Sequence, residues 1–229
     1  MITLLHGHYR DVLADVVVDH LLPDPPYGAR THKGHDAGGP QIKSATGQAT
    51  RRALTFAPWT EDDVRAFVDF WAPRTRGWMA CFTSHDLIDA YESAYRAHGR
   101  YSFSPVSVIQ KRPRLLGDGP SSWTIHLMVC RPRTRAWQKW RCLPGEYRSK
   151  LERGAPIVGA KPIALMREIV RDYSNPGDLV CDPCAGWGST LIAAHQLGRN
   201  CVGAELDLDT FQAAKIRIEK EVGHAQAAE

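Results

Sequence analysis

Short unbroken apolar runs alternate along this chain with stretches whose apolar residues recur at helical spacing. Ile2 to Leu5 is one run, ending at Gly7, and Val16 to Leu22 is another, ending at the cluster Asp24-Pro25-Pro26-Tyr27. Runs of this length bounded by turn residues predict strands buried on both faces. Thr60-Glu61-Asp62-Asp63 supplies a cap and an acidic first turn, and Val64, Phe67, Val68 and Trp71 then repeat at i, i+3, i+4 and i+7, which predicts an amphipathic helix. Trp78 to Phe82 is the next strand. Asp86 is expected to cap a helix that carries Leu87, Ile88, Tyr91 and Ala94 and ends at Gly99.

Phe103 to Gln110 and Trp123 to Val129 flank the turn signal Gly117-Asp118-Gly119-Pro120 and predict an antiparallel hairpin. Pro162 is placed at the first position of a helix holding Ile163, Leu165, Met166, Ile169, Val170 and Tyr173, closed before Asn175-Pro176-Gly177. A strand from Leu179 to Cys181 then runs into Asp182-Pro183-Cys184-Ala185-Gly186-Trp187-Gly188-Ser189-Thr190. A helix through His195 and Leu197 stops at Gly198, a strand from Asn200 to Ala204 ends at Glu205, and Asp207 caps a last helix with Phe211, Ala214 and Ile218. Strands alternating with helices predict an α/β domain built on parallel strands.

Two stretches break this rhythm. Residues 28–58 are rich in Gly, Thr, His, Lys, Gln and Ala and read as a long loop near the active site; loops of about 30 residues inside a compact domain usually serve function. Arg131 to Arg153 holds eight Lys/Arg against two Glu, with Trp137, Trp140 and Tyr147 interleaved. Phosphate-binding cations beside stacking rings point to nucleic-acid contact, with a solvated surface as the plain alternative.

The 229 residues suit one domain, 1–229, and a 43% hydrophobic, 24% charged composition excludes a fibrous or largely disordered chain. The net charge of +4 permits a polyanionic partner without requiring one. No apolar run approaches the roughly 20 residues of a membrane span, and the first six residues lack the pattern of an export signal, so a cytoplasmic protein with no membrane partner is expected. The six cysteines then read as reduced packing thiols. Cys181 and Cys184 form a CxxC without the other half of a zinc site, and His6 and His8 lack further ligands, so no metal is expected.

A strand that ends in Gly-x-Gly before a helix lets backbone amides approach a ligand, and an acid ending the following strand can accept from ribose hydroxyls. Gly186, Gly188 and Glu205 meet both conditions, at a spacing shorter than the dinucleotide fingerprint. In Asp24-Pro25-Pro26-Tyr27, consecutive prolines remove two donors and stiffen the backbone at the carboxyl end of a strand. A carboxylate and a proline carbonyl that accept both N–H groups of an arylamine favour a tetrahedral nitrogen able to attack a sulfonium methyl. Tyr27 is placed to stack on an extruded base.

Together, Asp24-Pro25-Pro26-Tyr27 and Asp182-Pro183-x-x-Gly186-x-Gly188-Ser189-Thr190 resemble the amino-methyltransferases that modify N6 of adenine or N4 of cytosine in DNA. The resemblance runs from Leu5 to about Ile218. It implies that Asp24 and the Pro25 carbonyl hold the target amine, with Pro26 and Tyr27 completing the catalytic element. It implies S-adenosylmethionine as cofactor, its methionine part held by Asp182, Pro183, Cys184, Ala185, Gly186, Trp187, Gly188, Ser189 and Thr190. Its ribose would fall to Glu205 beside Leu206, and its carboxylate to Lys161-Pro162. His8 stands where the family usually has an acid that reaches the cofactor's adenine, and Cys184 where Phe is usual. The catalytic element precedes the cofactor loop, as in the permuted β group, with the basic stretch where that group recognises its target.

The resemblance therefore implies a Rossmann-like methyltransferase fold, a mixed seven-stranded sheet with helices on both faces, circularly permuted. It implies a bacterial or phage-encoded enzyme acting on double-stranded DNA, with adenine favoured over cytosine because Asp rather than Ser leads the catalytic element. The residues 131–158 would form a short target-recognition segment, with Arg131, Arg133, Arg135, Trp137, Lys139, Trp140 and Arg141 as DNA contacts. So short a segment predicts a loosely read site or help from a second copy in a homodimer. RNA and protein-glutamine methyltransferases share a similar tetrapeptide but place the cofactor loop ahead of it. An inactive DNA-binding relative is the reading from another class, and the intact Asp24 stands against it.

Overall fold

The computed structural model describes residues 1–31, 56–110, 124–134, 142–149 and 159–226. The strands are β1 (Ile2–His6), β2 (His20–Leu21), β3 (Met79–Thr83), β4 (Tyr101–Ser102), β5 (Val106–Gln110), β6 (Thr124–Arg131), β7 (Glu146–Ser149), β8 (Leu179–Asp182) and β9 (Asn200–Glu205). The helices are α1 (Tyr9–Val12), α2 (Glu61–Trp71), α3 (Ile88–Ala97), α4 (Ile163–Tyr173), α5 (Ser189–Gln196) and α6 (Leu208–Gln226).

Among the described residues these strands form one sheet in the order β1-β9-β8-β2-β3-β6-β5-β7, with β4 also on β6. β6 runs against its neighbours β3, β4 and β5, and the remaining pairs are parallel. The mixed sheet is as expected, but it holds nine strands rather than seven. β4 has two residues, too few for a periodic signal. β7 reads Glu-Tyr-Arg-Ser with Tyr147 as its buried position, and among charged neighbours that strand passes for basic surface. Tyr147 is therefore a correction: it is 3% exposed and its hydroxyl donates to Asp172 at 2.8 Å, so it braces β7 on α4 and offers no ring to a nucleic acid.

Each central strand is buried on both faces because helices cover both. Along β3, Ala80 and Phe82 pack with Leu165, Met166, Ile169 and Val170 of α4 and Leu191 and Ile192 of α5, while Met79 and Cys81 pack with Phe67 and Trp71 of α2 and Tyr91 and Tyr95 of α3. This period-two alternation divides the core into two layers. α2 starts as its sequence predicts, on a reciprocal capping box between Thr60 and Asp63. Asp86 does not cap α3. It lies in a 3-10 turn, His85–Leu87, that precedes the helix, with its carboxylate against the backbone of Gly28. Pro162 is the residue just ahead of α4 rather than its first, because its ψ of 137° is extended.

The run from Val16 to Leu22 yields only the two-residue β2, since Val16 closes a turn on Leu13 and Val17 is 44% exposed. His20, fully buried in β2, explains how a polar residue is tolerated there. Its Nδ1 accepts from the Trp78 amide at 3.1 Å, which places the ring proton on Nε2, 2.9 Å from Asp178. Burial alone would raise the Asp178 carboxyl, but the Asn175 amide and His20 hold it below its usual value. The first and last strands are neighbours, β1 lying along β9 from Ile2 opposite Cys201 to His6 opposite Glu205.

Candidate active site

β2 lies between β8 and β3, and the pairing continues past its last residue. The Leu22 amide donates to the Cys181 carbonyl at 2.9 Å, and the Pro23 carbonyl accepts from the Phe82 amide at 3.1 Å. Asp24 therefore leaves the carboxyl edge braced on both sides, where ligands of open α/β sheets bind. Beyond the prolines, the Tyr27 carbonyl accepts from the Trp59 amide at 3.0 Å and the Gly28 amide donates to Ser84 Oγ at 3.0 Å. Both Asp24 oxygens are engaged. Oδ1 accepts from the Tyr27 hydroxyl at 2.9 Å and Oδ2 from Lys161 Nζ at 2.6 Å. Burial, reinforced by the Asp24 charge, pushes the Tyr27 hydroxyl well above its usual pKa, so Tyr27 remains a neutral donor.

The second half of the site leaves the adjacent strand, β8. Asp182 is 1% exposed, and its Oδ1 accepts from the Cys184 amide at 3.1 Å. The chain then turns through Gly186 and Gly188, both at positive φ, and Gly188 at +78° stands immediately before α5. A β-carbon there would be strained and would press on Ile218 of α6 at 3.1 Å. Glu205, at the end of β9, holds the turn from the other side. Its Oε2 accepts from the Gly186 amide at 2.8 Å and its Oε1 from the Asp207 amide at 2.9 Å. Burial raises the Glu205 carboxyl despite these bonds.

Burial also raises Asp182, to about 7, against the lowering effect of Thr190 and the Cys184 amide and with help from Asp24 and Glu205. A carboxyl with a higher pKa folded than unfolded contributes stability that is full below the unfolded value and is lost as pH rises through the folded one. Unfolding midpoints should therefore fall between about pH 4 and pH 7 by several degrees more in the wild type than in Asp182→Asn, which keeps an acceptor for the Cys184 amide. Parallel melting curves for the two proteins would refute this coupling.

Sequence reasoning missed Arg217. From α6 its Nη1 donates to Ser189 Oγ at 2.9 Å and to the Trp187 carbonyl at 3.1 Å, and its guanidinium lies 3.6 Å from the Trp187 ring centroid. Ser189 and Trp187, both expected to bind cofactor, are thus first of all fastened to α6. Arg217→Leu should loosen the turn and weaken cofactor binding by about tenfold, a modest loss for a cation–π contact and two hydrogen bonds. Calorimetric titration with S-adenosylhomocysteine measures it, and unchanged affinity would remove Arg217 from this role.

The first strand closes the site from the N-terminal side. His6 Nε2 lies 3.2 Å from the carbonyl of Leu206, whose side chain is 65% exposed, and the Gly7 amide donates to the Glu205 carbonyl at 2.9 Å. His8 caps α1 through its Nδ1 and stacks on Tyr9. His8, Tyr9, Arg10, Trp59, Asp63 and Ala66 line a cleft between α1 and α2. Pro162, expected beside the cofactor, is buried just ahead of α4.

The predicted DNA contacts fare differently. Because β6 is antiparallel, Arg131 stands at the amino end of the sheet, one residue beyond the Cys130–Met79 pair, whereas Asp24 leaves the carboxyl end near Thr83. The gap is about 17 Å along the strands at about 3.3 Å per residue. Arg131 lies over Tyr101 and Phe103, and Arg133 over Tyr101. Local composition shows a basic, aromatic segment but not which end of the sheet carries it. Arg135, Trp137, Lys139, Trp140 and Arg141 lie outside the described residues, as does most of the 28–58 loop.

A second residue missed is Tyr91. It is fully buried on α3, its hydroxyl has no hydrogen-bond partner among the described residues, and its neighbouring charges include Cys184, Tyr9 and Asp24. An orphaned hydroxyl beneath the joined halves of the site fits a pocket whose polar ligand supplies the partner. The donor set fits as well, with backbone amides at the glycine turn and a carboxylate at the end of β9.

Comparison with known proteins gives the same architecture. M1.HpyAVI in complex with SAM superposes with a TM-score of 0.72 at 21% identity, over 95% of this chain and 99% of that one. The fold is that of the DNA methyltransferases. A DNA modification methylase from Thermus thermophilus, complexed with S-adenosyl-L-methionine, gives 0.65 at 21% identity, over 97% of this chain and 95% of its own. The cytosine-N4-specific PvuII DNA methyltransferase gives 0.63 at 12%, over 97% and 90%. A family model described as DNA methylase matches residues 130–215. The type II methyltransferase M1.MboII of Moraxella bovis is 45% identical over 52 residues, 23% of this chain and 20% of its own length. M.EcaI of Enterobacter cloacae is 38% identical over 92 residues, 40% of this chain and 19% of its own. The matches span about a fifth of these two relatives. They support the resemblance to the DNA amino-methyltransferases that the motifs carry. Among the described residues no helix is long and apolar enough to cross a membrane.

Proposed function

We propose that this protein transfers a methyl group from S-adenosylmethionine to the exocyclic amine of a flipped base in double-stranded DNA, at N6 of adenine, as the modification arm of a restriction-modification system. One observation carries the reading. The acceptor element and the glycine turn, distant in sequence, leave the adjacent strands β2 and β8 side by side, Leu21 being paired with Cys181. The cofactor supplies, when bound, a methyl group on a sulfonium.

The chain's own residues do the rest. Glu205, the turn from Asp182 to Thr190 and Lys161 would hold the cofactor, and the Tyr91 hydroxyl would find its partner there. Asp24 accepts one N–H of the target amine and the Pro25 carbonyl the other, localising the nitrogen lone pair. Asp24 is also the nearest base for the proton that the amine must shed. The Tyr27 ring stacks the base while its hydroxyl orients Asp24. No covalent intermediate on the chain is needed, and burial keeps Cys181 and Cys184 as unreactive thiols with raised pKa values.

Incubation with unmodified genomic DNA and S-adenosylmethionine, followed by mass analysis of nucleosides, should yield N6-methyldeoxyadenosine. N4-methyldeoxycytidine would move the acceptor to cytosine, the base that the PvuII enzyme's description names. Product on RNA or protein but not on DNA would overturn the substrate class. Tyr91→Phe should retain the fold and weaken S-adenosylhomocysteine binding several-fold, as expected for one lost hydrogen bond to a ligand. Equal affinity would show that the hydroxyl serves no ligand.

A further inference from the structure

We infer that Lys161 is a gate on the acceptor site: its ammonium occupies the place of the target amine on Asp24 and is drawn away by the cofactor's carboxylate, so that cofactor binding exposes Asp24. This rests on the reading above and deepens it. Lys161 Nζ donates to Asp24 Oδ2 at 2.6 Å and to the Gly159 carbonyl at 3.1 Å, the pairing of carboxylate with carbonyl that the target amine itself requires. Its ammonium lies 5.3 Å from the Tyr27 ring centroid and 5.0 Å from that of Phe82, so it also fills the aromatic side of the acceptor site. The side chain is 11% exposed, and Tyr27 holds the other Asp24 oxygen.

A base amine is neutral. Its N–H bonds to a carboxylate are weaker than the charge-assisted bond it would have to replace, and eviction would strand a nearly buried ammonium without a counter-charge. The target alone therefore does not open the site. A second anion beside Lys161 does, and the amino-acid end of S-adenosylmethionine carries one. Lys161 directly precedes Pro162 and α4, and Gly159, at a φ of +85°, gives the chain a pivot two residues ahead of it. One lysine then serves both halves of the site in succession, and the cofactor must bind before the base. Coupling of this kind is reciprocal, so whatever weakens the hold of Asp24 on Lys161 must strengthen the cofactor.

Calorimetric titration with S-adenosylhomocysteine, which keeps the carboxylate, tests this without knowledge of the DNA sequence. Asp24→Asn releases Lys161 and should tighten binding about tenfold, whereas Lys161→Met should weaken it by a similar factor. In the double variant the gain from Asp24→Asn should vanish. Methylthioadenosine, which lacks the amino-acid end, should bind all four proteins alike. Asp24→Ser, compared by melting temperature, guards against a folding artefact and should behave as Asp24→Asn. Unchanged or weaker binding by both well-folded Asp24 variants overturns the gate. Failure of S-adenosylhomocysteine to bind any of the proteins, wild type included, overturns the cofactor reading itself and the gate with it.

Discussion

Asp24→Ala should lower the yield of methylated nucleoside by at least about 10²–10³-fold, the scale seen when one preorganised polar group is removed from a reacting centre. Asp24 is the carboxylate nearest the point where the acceptor element and the glycine turn meet, and neither of the other two carboxylates described there is free to replace it. Asp182 is buried behind the Cys184 amide, and both oxygens of Glu205 accept from backbone amides. The loss should fall on turnover rather than on folding or cofactor affinity. Nucleoside mass analysis with a parallel S-adenosylhomocysteine titration separates these, and near wild-type methylation by the variant would refute the assignment.

Gly203→Val should damage the protein from a position remote from the acceptor element. Gly203 pairs with Asp182 in the sheet, and a β-carbon there would stand 2.8 Å from the Asp182 carbonyl, 3.0 Å from Leu191 and 3.2 Å from Ala185. The obstacle is backbone and packed core, so the turn after β8 must lift. Overpacking of this kind costs about 1–3 kcal/mol. Because the glycine turn rests on this spot, cofactor binding should be lost along with several degrees of thermal stability. A variant that melts and binds like wild type would show that the turn can shift freely.

The legible parts of the molecule are those whose cause is local. The capping box of Thr60 and Asp63, the Asp207 cap and the strand-turn-helix around Gly186 and Gly188 each depend on residues within a few positions of one another. Asp24 and Glu205 were legible because carboxylates at strand ends have few structural uses. Arg217, Tyr91 and Gly203 were not, since an arginine on a helix, an aromatic at helical spacing and a glycine in a strand have ordinary explanations that only tertiary contact removes. The placement of Arg131 and Arg133 failed because composition carries no information about strand direction, and a single reversed strand sends them to the far end.

The seat of β2 between β8 and β3 also governs how this molecule can form. The backbone of Leu179 reaches the carboxylate of Asp19 across 160 positions, and β2 has no lasting neighbour on that side until β8 exists. Closing so long a loop costs entropy before any contact repays it, and topologies of this kind fold in milliseconds to seconds rather than microseconds. During synthesis Asp24 is thus among the first catalytic groups made and among the last to be braced. A nascent chain that has not reached β8 lacks the support of its acceptor site as well as the cofactor turn, so partial chains are silent toward both.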